Sequence, residues 1–219
     1  MPSLPSANIY VDGFNLYRRQ LQQRPGTKWL DLEKLTNLLL PTHRVNRIHY
    51  FTALIKPVLG TDPRAPERQN AYLRAISVNP RISITFGQFR SDTRLMPVVP
   101  IVLGIEGRPV TARVRKLEEK GSDVNLASRM IFDASQNDAD LFVLISNDSD
   151  YSSMLKMLTN DLGKRFGLFS PNDFPSHELL AAKPLFVKKV REHALLASQL
   201  PDVVIDDDGR SISRPPSWK

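Results

Sequence analysis

Apolar and polar positions alternate along the chain in two rhythms. Short, nearly unbroken apolar runs rich in β-branched and aromatic residues predict strands at NIYV (Asn8–Val11), RIHYFTALI (Arg47–Ile55), LFVLIS (Leu141–Ser146) and RFGLFS (Arg165–Ser170), with LFVLIS the clearest buried strand. ISITFGQF (Ile82–Phe89) alternates with period two and predicts another. Between these runs lie helical patterns. Leu16–Gln22 ends before Pro25-Gly26, and DLEKLTNLLL is capped by Asp31 and offers Leu32, Leu35, Leu38 and Leu39 as one face before Pro41. PERQNAYLRAIS (Pro66–Ser77) follows a proline-rich loop over Lys56–Pro66. A helix opening at Ser122 or Asp123 offers Val124, Ala127, Ile131 and Phe132 for burial. Tyr151–Asn160 reads as a helix, and Ser176–Leu200 as mostly helical with a break at Pro184. Strands alternating with helices at this spacing predict an α/β fold around a mainly parallel sheet.

Leu95–Lys116 breaks the rhythm. Three prolines and two glycines interrupt two β-branched runs around Gly104-Ile105-Glu106-Gly107, which predicts a hairpin held at an edge or as a protruding arm. Arg113 and Arg115, two residues apart, project from one side of it. The stretch after Pro201, acidic at Asp206–Asp208 and ending near Arg-Pro-Pro, is expected to be disordered.

Charge sharpens this picture. The 219 residues carry a net charge of +7, which suits a polyanionic partner. The charges are also segregated: Arg81–Leu117 holds seven basic residues against two acidic ones, whereas Glu118–Asp150 holds eight acidic residues against two basic ones. Phosphates belong with the first segment and metal ions with the second. The absence of cysteine excludes disulfides, thiolate zinc sites, iron–sulfur ligation and cysteine nucleophiles, and the four histidines show no ligand spacing, so carboxylates carry the candidate chemistry. No apolar run is long enough to span a membrane and no signal-peptide pattern opens the chain, so a cytoplasmic protein without membrane association is expected.

Two strands deliver an aspartate at their carboxyl ends, Asp12 after NIYV and Asp148 after LFVLIS, where open parallel sheets bind ligands. Asp123 at a helix start and Asp150 two residues beyond Asp148 are further candidates. Carboxylates gathered closely repel unless neutralised, and oxygen-rich sites of this kind select Mg²⁺ or Mn²⁺. Asp133, Asp138 and Asp140 are assigned to helix surface or loop, and Glu118 and Glu119 to solvent. Lys120, between the arm and Asp123, is placed to clamp a phosphate.

NIYVDGFNLY, EEKGSDVNLA and LFVLISNDSDY, in this order, resemble the NYN family of PIN-like ribonucleases over roughly residues 7–200. The resemblance implies a Rossmann-like three-layer α/β/α sandwich, with the basic hairpin at 94–117 as an insertion and 201–219 as a tail. It also implies an Mg²⁺- or Mn²⁺-dependent site that hydrolyses RNA phosphodiesters. Asp12, Asp123 and Asp148 match the family's metal-holding aspartates, while Asn15 and Asp150 match its accompanying polar and acidic positions. Asn147 stands where many relatives have Gly, and Tyr151 where Phe is usual. In that chemistry the bound cation activates a water and neutralises the phosphorane-like transition state. Arg113, Arg115, Lys116 and Lys120 are the expected nucleic-acid contacts. A binding module of the same fold with weak or lost catalysis is the main alternative. DNA as a substrate and a homo-oligomeric assembly both stay open, since one metal site cleaves either polymer. Phe14, where a HAD phosphatase needs a second aspartate, and the lack of a Gly-x-x-x-x-Gly-Lys-Ser/Thr loop exclude two other phosphate-handling classes.

Overall fold

The computed structural model describes residues 4–56, 62–104 and 106–218. In chain order the first half comprises β1 (Ser6–Asp12), α1 (Gly13–Leu16) continuing as a π-helical turn to Leu21, α2 (Leu32–Leu39), β2 (Arg44–Thr52), α3 (Ala65–Ser77), β3 (Ile82–Phe86), β4 (Gln88–Pro97) and β5 (Thr111–Lys120). The second half comprises α4 (Ser122–Ser135), β6 (Leu141–Ile145), α5 (Ser152–Asn160), β7 (Phe166–Ser170), α6 (His177–Leu180), β8 (Phe186–Lys189), α7 (Glu192–Ala197), β9 (Val203–Ile205) and β10 (Ser211–Ser213). Six strands form a central sheet in the order β3-β2-β1-β6-β7-β8, with every neighbouring pair parallel.

The apolar runs are nearly continuous because both faces of this sheet are covered. Alternate residues of one strand serve opposite cores. Ile9 and Val11 of β1, with Val143 and Ile145 of β6, pack against α2, α3 and α7. Tyr10, Phe142 and Leu144 pack against α4, α5 and α6. The fold is thus a three-layer α/β/α sandwich, as expected.

Several local expectations shift. The second strand covers 44–52 rather than 47–55. In α2 the buried stripe is Leu32, Leu35 and Thr36, while Leu38 is exposed, since the turn of about 100° per residue carries it more than a right angle from the centre of that stripe. Helix α4 buries Leu126, Met130 and Ala134, spaced four apart, and leaves Val124 and Phe132 exposed. Between the short helices α6 and α7 lies β8, an added parallel strand on β7 rather than continuous helix.

The run Ile82–Phe89 splits at Gly87. A Cβ there would collide with the Glu119 carboxylate and come within 2.8 Å of the Lys120 carbonyl and 2.9 Å of the Ser122 nitrogen, so only glycine lets the chain pass. Beyond it β4 pairs antiparallel with β5 from Gln88↔Lys120 to Pro97↔Thr111. The arm therefore begins six residues before and ends three residues after the expected 94–117, and it forms its own two-stranded sheet. Ile105, in the expected turn, and residues 57–61 of the expected loop lie outside the described residues.

The stretch after Pro201 is folded rather than disordered. β9 and β10 pair, Ile212 is buried, and the Trp218 ring lies 6.3 Å from both Trp29 and Tyr72. Composition pointed to disorder, but three apolar anchors, Val204, Ile212 and Trp218, dock this acidic segment on the core.

Candidate active site

Strand β1 lies between β2 and β6. The chain winds outward from β1 to β2 and β3 on one side, then crosses back to enter β6 on the other. Asp12, ending β1, and Asp148, just beyond β6, therefore flank the point where the winding reverses, the crevice where open α/β sheets bind ligands. Asp123 arrives from the first turn of α4. Its helix is capped by Gly121, with φ +96°, so Asp123 is not the N-cap and its carboxylate is free to face the crevice.

Asp12, Asn15, Asp123 and Asp148 line one cavity of about 470 Å³. Phe14, Arg18, Arg19, Glu119 and Ser122 complete its wall. Asp150, Arg113, Arg115, Lys116 and Lys120 are not part of it. The carboxylates are held by a set of hydroxyl and amide donors. Asp12 accepts from the Asn15 backbone N–H at 2.9 Å and from the Ser146 hydroxyl at 3.0 Å, and that same hydroxyl accepts the Asp148 N–H at 3.1 Å. Ser146 thus ties the two strand-end aspartates together. The Tyr151 hydroxyl donates to Asp123 at 2.9 Å and stands 3.4 Å from Asp12. Asp148 accepts the Asp150 N–H at 3.1 Å, which accounts for the exposed Asp150 as a neighbour rather than a wall residue. The Asn15 side-chain carbonyl accepts the Asn147 N–H at 3.1 Å. The Asn147 side-chain carbonyl accepts the Ser176 N–H at 2.9 Å and so pins the loop before α6.

The electrostatics follow from burial among like charges. Burial is the first reason that the Asp12 carboxyl is pushed up to about 6, and nearby Asp123 and Asp148 add to it against the opposing Asn15 hydrogen bond. Asp123 is raised in the same way, by burial first and then by Glu119, Asp148 and Asp150, with the Tyr151 hydrogen bond opposing. Tyr151 is held far above the usual phenol range by burial and the two carboxylates.

All the donors facing the cavity's acidic side are hard oxygens, the chemistry of Mg²⁺ or Mn²⁺. Among the described residues no three carboxylates close into a ready-made ligand cage. That openness fits a cation that keeps several waters and is held by one or two carboxylates plus a substrate phosphate.

Sequence reasoning missed Glu119, Ser146, Tyr151, Arg18 and Arg19. Glu119 was assigned to solvent, yet its two oxygens take the Ser122 N–H at 3.1 Å and hydroxyl at 2.7 Å, and it borders the cavity. Arg18 and Arg19, on the turn after α1, supply positive charge at the rim. Lys116 and Lys120 instead bind Glu118 on the arm, the latter at 3.1 Å, and hold its carboxyl well below the usual range. Asp133, assigned to helix surface, is buried: Arg129 pairs with it at 2.9 Å and Tyr10 donates to it at 2.8 Å.

Comparison with known proteins places this geometry among relatives. Residues 6–190 match the family model described as NYN domain. The chain is 30% identical, over 238 aligned positions, to 6-hydroxy-3-succinoylpyridine 3-monooxygenase HspA of Pseudomonas putida (strain DSM 28022 / S16), with 96% of this chain and 74% of that protein covered. Among solved structures it is similar to a protein of unknown function from Vibrio parahaemolyticus RIMD 2210633, at a TM-score of 0.54 and 15% identity, over 91% of this chain and 100% of that one. At that identity the likeness speaks to fold alone.

Proposed function

The chain belongs to the NYN domain family, with its PIN-like nuclease fold, and from that premise we propose that it is an Mg²⁺- or Mn²⁺-dependent ribonuclease. The observation that carries the reading is the convergence of Asp12, Asp123 and Asp148 on one cavity at the winding reversal, with no cationic partner for any of them among the described residues. A cation held there supplies Lewis acidity toward the scissile phosphate and lowers the pKa of an attacking water. The protein's own residues do the positioning. Ser146 and the Asn15 N–H fix the Asp12 carboxylate, and Tyr151 fixes Asp123, so the acidic wall is set before substrate arrives. Arg18 and Arg19, exposed on the wall of the same cavity, attract the polyanion and offset charge on its phosphate oxygens. Arg113 and Arg115 extend that attraction along the arm. Incubating the purified chain with labelled RNA and DNA, with EDTA, Mg²⁺ or Mn²⁺, tests the reading. Metal-dependent cleavage of RNA supports it, and inertness toward both polymers with every metal overturns it.

A second reading has its own observation. The relative from Pseudomonas putida is named as a monooxygenase of a substituted hydroxypyridine, and a cavity walled by aromatic rings adjoins the carboxylates here. Consumption of 6-hydroxy-3-succinoylpyridine and of O₂ in the presence of a reduced nicotinamide or flavin donor, without RNA cleavage, is the outcome that favours it.

A further inference from the structure

We propose that the aromatic cavity beside the carboxylate site is a subsite for a nucleobase of the polynucleotide whose phosphate occupies that site; this deepens the nuclease reading and rests on it. The cavity measures about 470 Å³, within the range of small-molecule pockets. Its rings come from separate segments: Phe14 and Tyr17 from α1 and its π-helical turn, Tyr50 from β2, Phe89 from the base of the arm, and Trp218 from the C-terminal segment. Leu117 of β5 closes it on the arm side.

Three features select a base over an unattached ring or an aliphatic ligand. First, the two cavities share walls. Phe14 and Arg18 border both, with the Arg18 guanidinium 5.9 Å from the Phe14 ring centre and Phe14 edge-on to Phe89 at 5.8 Å. A ligand with a charged phosphate joined to a flat apolar ring matches that adjacency, whereas a free ring uses only one of the two. Second, the walls combine apolar faces with polar edges. No described residue pairs with the Tyr17 or Tyr50 hydroxyl and Lys28 lines the same cavity, so the heteroatoms of a base find donors, while Arg68 is held by Asp62. Third, the wall is built to close tolerance at the junction with the metal site. A Cβ on Gly13 would lie 2.6 Å from Tyr50 Cζ and 2.8 Å from the Phe51 carbonyl, so Gly13 seats α1 directly on the Tyr50 ring next to Asp12. Stacking on such rings tolerates any base, so the subsite anchors the strand without reading its sequence.

Saturation-transfer NMR on the full chain in EDTA tests this apart from cleavage. The probes are adenosine and cytidine, with ribose and 6-hydroxy-3-succinoylpyridine as comparisons. Base protons are expected to receive more saturation than ribose protons, and free ribose none. Leu117→Trp, which fills the cavity from the arm, should weaken nucleoside binding about tenfold with unchanged thermal unfolding, and Tyr17→Ala, which removes a wall packed partly against the core, should weaken it about tenfold with a lower Tm. The proposal falls if ribose binds as well as adenosine, if both variants keep wild-type affinity, or if the pyridine binds and the nucleosides do not. Nucleoside binding without RNA cleavage by the metal-loaded protein would instead overturn the nuclease reading and leave the base subsite standing.

Discussion

Helix α4 carries two acids ten residues apart, Asp123 in its first turn and Asp133 near its end, in opposite electrostatic settings. Asp133 is nearly inaccessible yet fully answered: Arg129 contacts both its oxygens at 2.9 and 3.0 Å, and Tyr10 donates at 2.8 Å. His49 Nε2 lies 3.2 Å from the same carboxylate without the alignment of a hydrogen bond, and burial pushes its ring down to about 4. With Arg129 already balancing Asp133, a proton on His49 would add an uncompensated buried charge. Asp123, by contrast, receives one hydroxyl and faces other acids. A buried carboxylate with its counter-charge built in holds the fold together. One gathered with like charges is the proposed seat for a cation that arrives from outside.

The largest effect should come from removing the unanswered group. Asp12→Asn or Asp148→Asn is expected to cut metal-dependent cleavage by at least about 10²-fold, the scale of losing one strong electrostatic stabiliser. The metal-free variants should unfold no earlier than wild type, because each relieves repulsion. Full cleavage by either variant at limiting Mg²⁺ breaks the comparison at its functional end. Asp133→Asn should behave the other way. It leaves Arg129 without its partner, and since Arg129 is itself partly exposed the cost is about 2 kcal/mol of stability. Cleavage per folded molecule should be unchanged, and chemical denaturation alongside an activity assay separates the two.

What the sequence made legible follows the same division. Asp12 and Asp148 were visible because each follows closely on a short, mainly apolar run, a pattern that locates the carboxyl edge of a parallel sheet without tertiary knowledge. Glu119, Arg18 and Arg19 were not, because their approach to the cavity depends on how the arm leaves the sheet at Gly87 and how α1 tightens into a π-helical turn. Both are consequences of packing rather than of periodicity. Asp133 was misassigned for a related reason: helical spacing places it beside Met130 and Ala134, but only the fold brings Tyr10 and His49 against it from two strands. The stretch after Pro201 shows the limit of composition, since a few well-placed apolar residues outweigh its acidic run.

A smaller effect is expected on the arm, where position within the hairpin separates bases that look alike in sequence. Arg113 and Arg115 share one face with Leu117 and Glu119, the face that meets the site, and pair with no acid among the described residues. Lys116 and Lys120 lie on the other face and are bound to Glu118. Arg113→Gln with Arg115→Gln should lower the slope of log affinity for RNA against log salt by roughly 1.5 to 2. Adding Lys116→Gln should lower it by only about another 0.3 or less, well short of the step each arginine makes. An equal contribution from Lys116 would mean that Glu118 releases it on binding.

The smallest effect in the wild type, where two trends cancel, and the closest test of the two clusters, is a pair of opposed pH dependences in the metal-free protein. Asp12 rises from 3.8 to about 6 on folding, so the folded state holds more protons across that interval and Asp12 withdraws stability as pH climbs through it. His49 falls from 6.5 to about 4, so the unfolded state holds more protons and His49 restores stability over nearly the same climb. The two contributions offset each other in the wild type. Asp12→Asn should therefore steepen the rise in Tm between pH 4 and 6.5 relative to wild type, with the like-directed Asp123 leaving part of the opposing trend in place. His49→Phe keeps a ring against Tyr10 while removing the titration, and should make Tm fall over the same interval. Mn²⁺ added at pH 6.5 should raise the Tm of wild type and of His49→Phe but have little effect on Asp12→Asn, because only the carboxylates that repel one another gain from a cation. If Asp12→Asn and wild type show the same pH profile, the Asp12 carboxylate is already balanced in the folded chain, and the distinction between the two ends of α4 fails.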